Sequence, residues 1–256
     1  MVKSIRERMP RLGARKLYVK LKDKLEPLGV GRDRLFEILR ANHLLISPKR
    51  QYHVTTNSHH RFRKHKNLVE DMEITRPEQA FVADITYIGE RDNPMYLSMV
   101  TDAYSKQIMG YDVSNSLAAT GVITALEKAL KNRKYKTRPL IHHSDRGVQY
   151  CGDDYQQLLK QNQVKCSMTE QYDPYQNAVA ERVNGIIKQE FLNGIIVKDI
   201  KLMRKIVAES IDIYNKERPH TSCHMLTPQQ MHQQQKLKMK TYKKKKSTEK
   251  IPVLHV

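Results

Sequence analysis

Tryptophan is absent from the 256 residues, so no buried indole anchors the core. Cysteine is scarce: Cys151, Cys166 and Cys223 lie far apart and form no CxxC pair. That spacing argues against a disulfide framework or a cysteine-based zinc module, and it fits a chain kept reduced in the cytoplasm. His53, His59, His60 and His65 cluster without a cysteine pair beside them, which argues against a structural metal there. No run of about 18 apolar residues occurs, and the first residues lack an apolar signal core, so neither a membrane span nor export is expected.

Acidic residues are in short supply at both ends. The formal net charge is +19. Residues 1–70 hold 18 Lys and Arg against 6 Asp and Glu, residues 71–230 hold 20 of each, and residues 231–256 hold 8 against 1. A neutral centre between basic flanks is the pattern of a chain whose ends grip a polyanion while its middle does other work. The length allows one sizeable core and a smaller module.

The first organised piece spans residues 1–46. Ile5 and Met9 start a short helical pattern, and Leu17, Leu21 and Leu25 form a second amphipathic helix at a spacing of four. Pro27 and Gly29 break the chain. A third helix then starts near Arg32, with Leu35, Ile38 and Leu39 inward and Arg32, Arg34 and Arg40 outward. Helix, Pro/Gly turn and short arginine-bearing helix form a helix-turn-helix-like arrangement, with Arg15, Arg32 and Arg34 as candidate DNA contacts. A small helical lid with solvated arginines would read the same way. Residues 47–76 are a basic linker in which Arg50, Arg61, Arg63, Lys64 and Lys66 can track phosphates without reading bases.

Residues 77–231 read as an α/β unit. Apolar, β-branched runs at 81–88, 95–101 and 107–113 predict three consecutive antiparallel strands. A helix over 117–131, a short strand at 139–143, a helix over 153–161 and a fifth strand at 164–168 follow. A further helix begins after Asn177, the expected N-cap, with Val179, Val183, Ile186 and Ile187 on its apolar stripe. Glu181, Asn184, Gly185 and Lys188 fall on the opposite face. The order βββαβαβα is that of a ribonuclease-H-like fold, a mixed five-stranded sheet flanked by helices. The helix over 199–214 closes the core, Arg218, Pro219 and His220 open an extended stretch towards Thr227, and residues 232–256 read as a disordered basic tail.

Three carboxylates carry the chemistry. Asp84 interrupts an apolar strand, where an ionised group needs a cation or donors beside it. Asp145 follows the strand LIHH and precedes a turn, so it projects from a strand end. In this topology the first and fourth strands are neighbours, which brings Asp84 and Asp145 together, with Glu181 on the helix packed beside that edge. Oxygen ligands alone suit Mg²⁺ or Mn²⁺, and a pair of such ions about 3.5–4 Å apart serves phosphodiester chemistry.

The stretches DITYI, HSDRGVQY, DPYQNAVAERVNGIIKQE, YLSMVTDAYSKQIMGY and YNKERPHTSCHMLTPQQ closely resemble insertion-sequence transposases related to retroviral integrases, insertion-sequence family three. The likeness runs from the N-terminal module to about Met231. The resemblance implies a DDE transposase: Asp84, Asp145 and Glu181 hold two Mg²⁺ or Mn²⁺ ions, and water or a 3′-hydroxyl attacks a DNA phosphodiester. A basic residue seven positions after the glutamate, here Lys188, belongs to the same pattern. The resemblance further implies double-stranded element ends and target DNA as partners, a homo-multimer on DNA, fusion to an upstream frame, and action in the bacterial cytoplasm at the nucleoid. Arg182, Asn184 and Lys188 are the candidate DNA contacts on the catalytic helix. Tyr172 and Tyr175, just before it, can stack on an unpaired base or pack on the core. His142 and His143 can polarise water or DNA, or serve as hydrogen-bonded structural groups. A catalytically silent DNA-binding remnant or regulator and a ribonuclease-H-like nuclease are the alternative readings.

Overall fold

Side-chain alternation along β1 (Ala80–Gly89) organises the molecule. Phe81 and Ala83 enter one apolar core, whereas Ala80, Val82 and Ile88 turn to the opposite face. The computed structural model describes residues 1–47, 65–70, 72–90, 92–170 and 177–239. β1 pairs antiparallel with β2 (Pro94–Asp102), which pairs antiparallel with β3 (Ile108–Ser114). On its other edge β1 runs parallel to β4 (Ile141–Ser144), and β4 runs parallel to β5 (Lys165–Met168). The sheet order is therefore β3-β2-β1-β4-β5, a mixed five-stranded sheet of the ribonuclease-H-like kind.

One face is covered by α4 (Ala119–Lys131), α5 (Val148–Cys151) and α6 (Asp153–Gln161). Val122, Ala125, Leu126 and Ala129 of α4 pack on that face. The approach is closest at Gly110 of β3, where an added Cβ would stand 2.1 Å from the Ala125 carbonyl oxygen. The other face carries α7 (Ala178–Ile186) and α8 (Ile200–Lys216), which presents Met203, Val207, Ile211 and Tyr214. Asp199 caps α8, its Oδ1 accepting the Lys201 amide at 2.8 Å.

The N-terminal helices α1 (Val2–Arg8), α2 (Ala14–Leu25) and α3 (Arg32–Ala41) share this second core. Leu17, Leu21, Leu25, Leu35 and Leu39 belong to the same cluster as Leu97, Ile186 and Phe191. Arg8 forks onto Glu217, and Lys20 Nζ donates to the Glu217 carbonyl at 3.1 Å. Ile38 departs from the sequence expectation: it is 40% exposed, whereas Leu35 and Leu39 are buried.

Two further expectations are corrected after α8. The segment expected to be extended forms a 3₁₀ turn, Thr221–Cys223, and then α9 (Pro228–His232). Thr227 caps α9 through a reciprocal exchange with Gln230. The first residues of the expected tail are packed down: Tyr104 OH donates to the Leu237 carbonyl at 2.6 Å, and His224 Nε2 lies 2.7 Å from the Lys238 carbonyl. The end of the linker also lies against the core, where the Leu68 amide donates to Ser167 Oγ at 2.8 Å. Residues 240–256 and linker residues Arg50, Arg61, Arg63 and Lys64, with His53, His59 and His60, fall outside the described residues.

Candidate active site

The site grows from a mismatch in strand length. β4 pairs with β1 only at Ala80, Phe81 and Val82. Beyond that point β1 continues beside β2 alone, and α7 fills the place of a partner strand. Asn177 at the start of α7 donates from Nδ2 to the Ala83 carbonyl at 3.0 Å, replacing a missing ladder bond. This corrects the capping role expected for Asn177, whose side chain makes no cap bond to α7.

Asp84 comes next along β1, on the face that meets α7. Its Oδ1 accepts the Ile85 amide at 2.9 Å, and its Oδ2 accepts Asn184 Nδ2 at 2.7 Å. Loss of water pushes the Asp84 pKa up to about 8, and Asp145 and Glu181 add to that rise against the opposing bonds from Asn184 and Ile85. Asp145 leaves the end of β4, and its Oδ1 accepts the Gly147 amide at 3.0 Å. A Cβ at Gly147 would sit 3.0 Å from that oxygen, so the turn closes beneath the carboxylate because the residue is glycine. Glu181 is exposed in the first turn of α7; partial loss of water raises its pKa, and Asp145 raises it further. Three segments thus bring carboxylates into one field. Among the described residues no group of three or more His, Cys, Asp or Glu yet stands close enough to hold a metal ion. The donor set is nonetheless one a hard divalent cation fits, since oxygens that repel one another are relieved by a cation between them.

Lys188 belongs to the same surroundings: burial lowers its ammonium pKa, and Asp84 works in the opposite direction. It lies not on α7 proper but on a π-helical turn, Ile187–Phe191. Asn184, expected as a DNA contact, is corrected to an internal bracket of Asp84, since it is buried and its amide is committed there. Arg182 is exposed beside Glu181. Arg15, Arg32 and Arg34 are exposed on the N-terminal helices, where Arg32 pairs with Asp33 at 2.8 Å and Arg34 with Glu37 at 2.9 Å. His142 and His143 are wholly buried structural groups, bonded to Tyr155 OH at 2.8 Å and Ser167 Oγ at 2.9 Å. Tyr172 and Tyr175 lie outside the described residues.

Two buried charge groups went unseen in the sequence. Arg218 is 1% exposed and forks onto Glu190 at 2.6 and 2.8 Å. Glu78, Asp102, Ser105 and His232 form the other, at the end of β2.

A mixed five-stranded sheet in the order β3-β2-β1-β4-β5 with helices on both faces is the frame of an integrase core. Residues 74–174 and 162–228 each match the integrase core domain family. The chain is 33% identical over 218 residues to the 31 kDa protein of insertion element IS600 from Shigella sonnei, covering 84% of this chain and 79% of that one. It is 33% identical over 194 residues to the transposase InsF of insertion sequence IS3A from Escherichia coli, covering 75% of this chain and 67% of that one. It shares its fold with a chain of the simian T-cell lymphotropic virus intasome in complex with PP2A regulatory subunit B56 gamma, at a TM-score of 0.54 and 17% identity over 87% of this chain and 75% of the other. The protein belongs to the insertion-sequence transposases of the IS3 type. It is accordingly a DNA transposase, and an integrase core implies dependence on a divalent metal ion and the binding of DNA. No helix among the described residues is long and apolar enough to cross a membrane.

Proposed function

We propose that Asp84, Asp145 and Glu181 are the metal-holding catalytic carboxylates of this transposase, and that they take two Mg²⁺ or Mn²⁺ ions. The observation that carries the reading is the convergence of three segments: Asp84 on β1 just beyond its last pairing with β4 and bracketed by Asn184, Asp145 at the end of β4, and Glu181 in the first turn of the helix that carries Asn184. Bound divalent ions supply charge neutralisation for the attacking and leaving oxygens of an in-line displacement. The chain's own residues do the rest. Asn184 and the Ile85 amide hold both oxygens of Asp84 in one orientation, and the Gly147 amide does the same for Asp145. Glu181, on the exposed face of α7, is the member that closes on the substrate side. Lys188 and Arg182 contact DNA phosphates beside it, and Arg15, Arg32 and Arg34 contact DNA from the N-terminal helices. The partners are element ends and target DNA, engaged by a homo-multimer or by a fusion with an upstream frame, in the bacterial cytoplasm at the nucleoid.

The test is strand transfer on labelled linear DNA carrying the element's terminal repeats, with Mg²⁺ or Mn²⁺. Wild type is expected to give joined products, and Glu181→Gln none while still binding DNA. Turnover by Glu181→Gln equal to wild type would remove the site assignment.

A further inference from the structure

At the seam between α2, α7 and the loop after α8 two cations meet one carboxylate, and a third acts on it from α7. Arg218 occupies both oxygens of Glu190, at 2.6 and 2.8 Å, and Lys16 Nζ lies 3.6 Å from Glu190 Oε1. Arg182, on α7, acts electrostatically on Lys16 and on Glu190 alike. Arg182 itself is exposed, but the Arg218 and Lys16 side chains are only 1% and 16% exposed and share a single carboxylate, so one buried positive charge is in surplus. Charge held out of water in excess of its partners is costly. Lys16 registers that cost: burial, then Arg218, push its pKa down to about 8 although Glu190 pulls the other way.

His220 supplies the second, independent observation. It is 8% exposed, and burial, followed by the charges of Arg218, Lys106, Lys16 and Arg182, keeps the ring neutral. Its Nδ1 meets Ser222 Oγ at 2.9 Å, while its buried Nε2 has no hydrogen-bond partner among the described residues. Nε2 is thus an unpartnered polar atom in a buried place, and it carries the ring proton in the tautomer whose Nδ1 accepts from Ser222. A seam with surplus positive charge and an unpartnered buried ring nitrogen suits an oxyanion.

We propose that this seam binds one backbone phosphate of the DNA substrate, through Lys16, Arg182 and His220, with the Arg218–Glu190 pair as its fixed floor. A phosphodiester matches the chemistry, since it brings one negative charge and two free oxygens for several donors. DNA is the source because Arg182 directly follows Glu181 on α7, so a phosphate held there belongs to the strand being joined. The contact also ties α2 of the N-terminal module to the helix carrying Glu181. The inference rests on the chain acting as a DNA strand-transfer enzyme.

The test uses the full chain and a labelled linear duplex, with affinity followed by anisotropy from 50 to 200 mM salt. One phosphate contact contributes about 0.9 to the slope of log affinity against log salt, so wild type should lose about 3.5-fold more affinity over that range than Lys16→Gln. In parallel, wild-type Lys16 is labelled with an amine-reactive reagent and read by peptide mass spectrometry, with duplex, with inorganic phosphate, or at raised protein concentration alone. Protection by duplex together with the lower slope supports the proposal. Equal slopes, or a Lys16 that stays as reactive with duplex bound, overturns it. Protection that grows with protein concentration alone assigns the anion to a carboxylate of a second copy and likewise overturns it. If wild type binds no DNA at all, it is the strand-transfer reading that fails, not the seam.

Discussion

Alkaline destabilisation should trace to His232. Its Nε2 lies 3.3 Å from Glu78 Oε1, and its Nδ1 lies 3.5 Å from Asp102 Oδ2 and 3.0 Å from Ser105 Oγ. Glu78 is wholly buried at a left-handed φ of 54°, with its amide donating to Asp102 Oδ1 at 2.8 Å and Arg133 Nε 3.3 Å from its Oε2. Burial opposes a charged ring, but bonds and charge from Asp102 and Glu78 outweigh it and lift the His232 pKa from 6.5 to about 9. A pKa raised on folding stabilises the fold fully below the unfolded value and is lost as pH rises through the folded one. The contribution is therefore complete below pH 6.5 and gone above about pH 9. At about 1.4 kcal/mol per pH unit it amounts to about 3 kcal/mol.

Other groups titrate in the same range. Lys16, pushed down from 10.5 to about 8, makes stability rise with pH there, and Cys223, pushed up from 9.0 to about 11 by burial, makes it fall. The clean quantity is therefore the difference between wild type and His232→Gln. With no tryptophan to follow, urea unfolding is monitored by far-ultraviolet circular dichroism between pH 6 and 10. The wild-type advantage should shrink by about 3 kcal/mol across that range. A difference that does not vary with pH would refute the charged-ring account.

Three further outcomes are expected. Gly110→Ala should destabilise by about 3 kcal/mol in urea unfolding, at the upper end for overpacking, because its Cβ would meet the backbone of Ala125 and Ala129 rather than a side chain that can swing away. Asn184→Ala should weaken Mn²⁺ binding by titration calorimetry about tenfold, since Asp84 loses the donor that favours its ionised form; unchanged affinity would argue against the bracket. Glu181→Gln should abolish joining while keeping DNA affinity, as set out above.

The sheet and the carboxylates were legible because their signals are local. Each strand announces itself by alternation, and a charged residue within one, as at Asp84, is conspicuous. The supporting groups were not legible, because what they do depends on where strands stop. Asn177 serves the Ala83 carbonyl only because β4 pairs no further than Val82. Asn184 sits on the polar face of α7, where a DNA contact and a bracket for Asp84 look the same until burial separates them. The Arg218–Glu190 fork spans 28 residues and the His232–Glu78 pair 154, separations that no periodicity reports. The π-helical turn after Ile186 likewise carries no local marker, yet it changes how Lys188 is presented.

The bridge from Arg8 to Glu217 spans 209 residues and closes the N-terminal helices onto the end of α8. During synthesis at about 5–20 residues per second, roughly 10–40 s separate the two partners. Through that interval the leucine face of α2 has no α8 to settle beside. The growing chain thus exposes its N-terminal helices to whatever else is nearby on the ribosome, well before its own catalytic half exists to claim them.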